Sequence, residues 1–154
     1  MNIEKIKKPS FAVIGMEGST AEGEGFVQRL WGKANGRFAE VAALAKKNED
    51  GSLAGIWGAM TDLSRSFMPW EDGFTKGLYL AGVECEDSAQ PPEGWVRWEV
   101  PAFEYLRVRC EGGDTFGEML AHMREEGIEL AGAVQDFTDP TAGISYMLFP
   151  VKRL

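Results

Sequence analysis

The sequence has one histidine, His122, and two cysteines, Cys85 and Cys110, in 154 residues. Two isolated cysteines build neither a disulfide framework nor a zinc site, and they read as small buried hydrophobes. His122 lies in a helical pattern, HMREEG, with no serine or cysteine nucleophile near it, which argues against a Ser-His-Asp triad. No phosphate-binding glycine loop, HExxH or GxSxG is present, so no catalytic, metal or cofactor motif stands out. Basic residues are scarce relative to acids, with a net charge of −8, which counts against a nucleic-acid partner. No apolar run approaches the roughly 20 residues of a membrane-spanning helix. The N-terminal MNIEKIKKPSFAVIG lacks an apolar signal core, so a cytoplasmic location is expected.

What the sequence does contain is a repeat. LAGIWGAMTD (53–62) and LAGAVQDFTD (130–139) share Leu, Ala, Gly, Thr and Asp at five of ten places, 77 residues apart. PSFAVIGMEG (9–18) echoes FEYLRVRCEG (103–112) at an offset of 94, and LYLAGVEC (78–85) echoes YMLFPVKR (146–153) at 68. Helix-like stretches follow the first strand of each copy, at 25–47 and 115–127. Gly32 and Gly36 invite a break in the first; in the second, Phe116, Met119, Leu120 and Met123 form one stripe. The pattern predicts an α+β domain of two βαββ repeats about a pseudo-twofold axis, with antiparallel sheets, two helices and a central ligand cleft. Repeat one spans about 9–86, the acidic, Pro-rich linker 87–95, and repeat two 96–153 of a single domain 1–154. Ala12, Ile14 and Met16, with Leu106, Val108 and Cys110, should lie under the helices. Tyr105, Arg107 and Arg109 should face solvent or a cavity on the other side.

Aromatic residues are abundant: five Trp, three Tyr and nine Phe. Trp57, Tyr79, Tyr105, Phe137 and Tyr146 lie in predicted strands of both copies and are expected to line the cleft. Aromatic walls with a buried acid suit a lipophilic cation. Residues 63–77, LSRSFMPWEDGFTKG, are too apolar to be left in water and should cover the cleft mouth or make a homodimer contact.

The duplication, the YLAGVE strand, the WEVPAFEYLRVRCEG stretch and the closing MLFPVK together resemble the GyrI-like, AraC-type effector-binding superfamily over residues 9–153. The resemblance implies a stand-alone small-molecule sensor for amphipathic, often cationic, aromatic compounds, linked in many members to transcription regulation. It leaves open hydrolysis of cyclopropane-bearing toxins, using Tyr146 with Glu84 or Asp136, and inhibition of a protein such as gyrase through the FMPW loop. Members carry a glutamate on the last strand, four residues before its proline. Here that position is Tyr146. Glu84, then Asp136, are the acids expected to replace it.

Overall fold

The computed structural model describes all 154 residues. Eight strands, β1 (Ile3–Lys8), β2 (Phe11–Ser19), β3 (Ile56–Thr61), β4 (Leu78–Cys85), β5 (Val96–Val100), β6 (Phe103–Arg109), β7 (Gln135–Asp139) and β8 (Ile144–Arg153), form one antiparallel sheet in the order β1-β6-β8-β7-β3-β4-β2-β5. Helix α1 (Phe26–Gly36) follows β2, and α3 (Thr115–Glu125) follows β6. A short turn, α2 (Glu71–Phe74), lies in the β3–β4 connection. Exchanging β1 with β5, β2 with β6, β3 with β7 and β4 with β8 reverses the sheet order without changing it. The halves are therefore arranged as a pseudo-twofold pair within one continuous sheet. Each half has an additional leading strand, β1 or β5, that pairs with the other half.

Those two strands were hidden in the sequence. The first is short and charged, IEKIKK, and carries little apolar signal. Its role follows from register. Ile3 pairs with Val108 and Phe11 with Val100, and the residue numbers of both pairs add to 111. β1 and β2 thus run alongside β5 and β6 as one bent ribbon that ties the two halves together. The bend falls at Pro9-Ser10 opposite Pro101-Ala102. Proline has no N–H for the ladder, so the ladder breaks there and the ribbon turns its corner.

The apolar residues divide by strand alternation into three cores. Ala12, Ile14, Met16, Tyr79, Ala81 and Val83 pack under α1 with Phe26, Leu30 and Ala34. Leu106, Val108 and Phe149 pack under α3 with Met119 and Met123. The third core fills the opposite face with Phe11, Val13, Trp57, Leu80, Trp98, Phe103, Tyr105 and Leu148. The first predicted helix is shorter than its pattern. It ends at Gly36, and two 3-10 turns, Phe38–Glu40 and Ala42–Leu44, carry the chain on. No helix is long and apolar enough to cross a membrane.

At the centre, β3 and β7 share only three residue pairs, Ile56–Thr138, Trp57–Phe137 and Gly58–Asp136. Beyond them the strands diverge, and the Gln135 side chain takes over from the ladder. Its Oε1 accepts from Met60 N at 3.0 Å, and its Nε2 donates to Met60 O at 3.2 Å. Gln135 is 1% exposed. Replacing Gln135 by Leu strands both Met60 backbone groups, so Gln135→Leu should lower stability by about 2–4 kcal/mol. Equilibrium urea denaturation measures this, and an unchanged midpoint would show that the amide does not hold the seam.

Candidate functional site

The divergence of β3 from β7 opens a cavity of about 590 Å³ on the helical face. Its floor is Met60 of β3, Tyr79 of β4, Asp136 of β7 and Met147 of β8, one residue from each of the four central strands. Phe26 from the first turn of α1 and Phe116 from that of α3 form the side walls. Pro69, Trp70 and Phe74 of the long connection lie over the mouth. Trp70 Nε1 donates to Leu78 O at 3.0 Å, and its ring lies 6.3 Å from that of Phe26. Phe74 meets Phe116 edge-on at 5.2 Å.

This connection is held from within by Asp62. Its carboxylate accepts from the hydroxyls of Thr61, Ser64 and Ser66 and from Ser66 N. Burial works against its ionisation, but the bonds from Ser66 and Ser64 prevail and hold the carboxyl well below the usual range. Arg65 ties the loop to Glu17 by two bonds of 2.7 Å. Four non-glycine residues, Arg65, Phe67, Asp72 and Phe74, sit at φ between 52° and 65°. Left-handed backbone at a bulky phenylalanine is uncommon and costs about 1–3 kcal/mol. The aromatic cover is therefore kept in place against local backbone preference.

The polar centre of the cavity is a chain of three side chains. Trp31 Nε1 of α1 donates to Tyr79 Oη at 3.1 Å, and Tyr79 Oη donates to Asp136 Oδ2 at 3.5 Å. Gly58 makes this possible. A Cβ there would stand 2.0 Å from Tyr79 Oη, so only glycine lets the phenol cross β3 to reach β7. Burial, followed by the charge of Asp136, raises the Tyr79 pKa and keeps the phenol protonated. Burial pushes Asp136 from 3.8 up to about 6, and the Tyr79 bond offsets only part of that. None of the chain's six ion pairs involves Asp136.

The seven residues expected in one cleft are separated by the sheet. Tyr79 and Asp136 are in the cavity. Trp57 and Tyr105 belong to the core of the opposite face, where Trp57 bonds Glu84; Phe137 and Tyr146 are half-buried, pack against that core, and also border a smaller pocket beside Tyr79 and Asp136. Period-two alternation causes the split. Tyr79 and Glu84 are five residues apart on β4, and Asp136 and Phe137 are adjacent on β7, so each pair must point to opposite sides. Trp57 stacks obliquely on Phe137 at 4.8 Å, and Phe137 on Tyr146 at 6.2 Å. Arg107 lies over Tyr146 at 4.7 Å. Tyr105 is fully buried, and its hydroxyl has no partner.

Glu84 is 5% exposed and is satisfied by the chain itself. Trp57 Nε1 donates to it at 3.0 Å, and Lys8 Nζ sits 3.4 Å away while lying 4.4 Å over the Phe11 ring and 5.6 Å over Trp57. The combination of acid and ring faces that suits a cation is thus present on this side too, with Lys8 as its occupant. Met60, Met147, Phe26, Phe116 and Trp31 were not among the expected site residues. The apolar stripes of α1 and α3 pointed to Phe26 and Phe116 only as core.

The same fold recurs in solved structures of low sequence identity. SAV2435 bound to tetraphenylphosphonium superposes with a TM-score of 0.67 at 18% identity, over 99% of this chain and 94% of that one. The C-terminal domain of EcmrR gives 0.65 at 9%, over 99% and 98%. A bacterial transcription regulation protein from Staphylococcus aureus MU50 gives 0.61 at 19%, over 99% of each chain. No family model and no curated protein matches the sequence. At these identities the likeness concerns architecture: an α+β domain with one eight-stranded antiparallel sheet, the GyrI-like fold.

Proposed function

We propose that the protein binds lipophilic organic cations in the cavity between α1 and α3, with Asp136 as the counter-charge and Phe26, Trp70, Phe74 and Phe116 as the aromatic walls. The observation that carries this reading is Asp136 itself. It is a half-buried carboxylate with no cation of the chain beside it, in a cavity lined mainly by apolar side chains. A buried charge is costly unless paired, and a ligand that brings the opposite charge relieves that cost. Glu84 on the other face is the contrast, because Lys8 already supplies its charge. A cavity of about 590 Å³ suits a drug-sized molecule. Tetraphenylphosphonium in the structurally similar SAV2435 is a cation of this class. A role as a sensor or sequestering protein for such compounds, connected to transcription regulation through a separate partner, accords with this chemistry.

Ring faces alone contribute about 0.5–2 kcal/mol per cation contact, so the carboxylate should decide the preference for charge. Asp136→Asn should weaken tetraphenylphosphonium binding by about tenfold or more, roughly 1.4 kcal/mol, and leave a neutral tetraphenyl analogue within twofold. Isothermal titration calorimetry separates the two. Equal losses for both ligands would remove Asp136 from the role. Mass spectrometry of the recovered ligand tests turnover, since a product would favour hydrolysis over binding.

The unliganded protein should show the cost of this acid. A carboxyl whose pKa is raised by folding stabilises the native state less as pH rises through its folded value. Below the unfolded value of 3.8 the penalty is absent, and above about 6 it is complete. Asp136→Asn should therefore be more stable than the parent at pH 8, by roughly 1–3 kcal/mol, and no more stable at pH 3.5. Thermal melts at the two pH values measure the difference. A variant destabilised equally at both would mean that Asp136 is not held in an apolar setting.

A further inference from the structure

The large cavity does not end at Asp136. A second chamber of about 250 Å³, lined by Trp31, Ile56, Cys110, Phe137, Thr138 and Tyr146 among others, shares Tyr79 and Asp136 with it. A third pocket, also of about 250 Å³, shares Trp31 and Ile56 with the second. The three spaces adjoin in sequence along the underside of α1. The hydrogen-bonded Tyr79 and Asp136 stand between the first and second spaces, and Trp31, bonded to Tyr79, stands between the second and third. The third pocket is lined by Trp31, Ala34, Phe38, Leu53, Val83 and Trp95, with Asn35 at its rim, and has no charged lining residue. From one end to the other, the lining runs from the aromatic walls, with Glu24 among them, through the half-buried Asp136 carboxylate to apolar again.

From this order of chemistry we infer that the site takes a two-armed ligand: a lipophilic quaternary cation whose charge sits at Asp136, with an aryl arm in the large cavity and a second, aliphatic or aryl arm reaching past Tyr79 into the pocket under Trp31 and Trp95. This rests on the cation-binding reading above and specifies the shape of the ligand. A compact cation would fill only the first cavity. Gly58 lines the second chamber, and a side chain there would collide with the Tyr79 hydroxyl that bonds Asp136.

The test is a ligand series that differs only in the second arm, from benzyltrimethylammonium to benzyldimethyldecylammonium, each kept below its micelle concentration and titrated calorimetrically. Tetraphenylphosphonium serves as the compact cation. In the parent protein affinity should climb by up to about fourfold per added methylene, reaching at least a hundredfold across the series. Leu53→Trp narrows the third pocket from its wall, and Asn35→Trp does so from an exposed helical position where folding is not at risk. In both variants the gain across the series should fall below about fivefold, with tetraphenylphosphonium unchanged within twofold. A chain-length gain that persists in Asn35→Trp would place the arm outside the cavity mouth and overturn the inference, as would a parent protein indifferent to chain length. Either result leaves cation binding intact if Asp136→Asn still weakens every member. If the parent binds none of these cations, the cation-binding reading falls, and the two-armed ligand with it.

Discussion

The two halves of the sheet meet through three backbone pairs and one side-chain amide, and the cavity exists because the ladder stops where it does. Had β3 and β7 stayed paired beyond Gly58 and Asp136, the strands would have closed over the space that the helices now border. The bent ribbon of β1, β2, β5 and β6 allows the centre to open without the halves parting, because it joins them independently along a shared register. Gln135 marks the point where the seam changes from backbone pairing to side-chain bridging. Asp136, the next residue, turns to the other face and into the opening.

Two acids, the buried Glu84 and the half-buried Asp136, lie near aromatic rings, and they differ in what neutralises them. Glu84 has Lys8, Trp57 and Phe11 around it, all from this chain. It is part of the structure and ties the end of β1 to β4. Asp136 has one long bond from Tyr79 and no cation. The first acid is paired within the chain, whereas burial disfavours the charged form of the second. The proposed counter-charge sits at the bottom of an aromatic cavity, and the segment around Trp70, whose left-handed backbone positions are braced by Asp62 and Arg65, lies over the same place.

Much of the architecture was legible in the sequence. The paired echoes located β2, β3, β4, β6, β7, β8 and both helices, and alternation correctly placed Ala12, Ile14 and Met16 under α1 and Leu106 and Val108 under α3. The charged strand β1 was not legible, because its apolar positions are only Ile3 and Ile6 and its partner strand, Phe103–Arg109, is remote in sequence. The expected site mixed the two faces of the sheet. Parity along β4 and β7 separates Tyr79 from Glu84 and Asp136 from Phe137, and that signal was in the sequence. Which face would be open was not. Both faces are rich in aromatics, and only the positions of the helices, the long connection and Lys8 decide that one is filled and the other is a cavity. The repeat also conceals the site by breaking within it: at the 77-residue offset Gly58 stands opposite Gln135 and Ala59 opposite Asp136. The side chains that bridge the seam and charge the cavity therefore have no counterpart in the other copy.

The central claim is that a bound organic cation takes the place of a proton at Asp136. Calorimetric titration of tetraphenylphosphonium at pH 5.5, repeated in buffers of different ionisation enthalpy, counts the protons released on binding. With the Asp136 carboxyl titrating at about 6, a substantial fraction of one proton should leave the protein per cation bound at pH 5.5, and almost none at pH 8 or in Asp136→Asn. Tight binding with no proton release at pH 5.5 would contradict the account, because the cation would then be held without displacing the proton from this carboxylate.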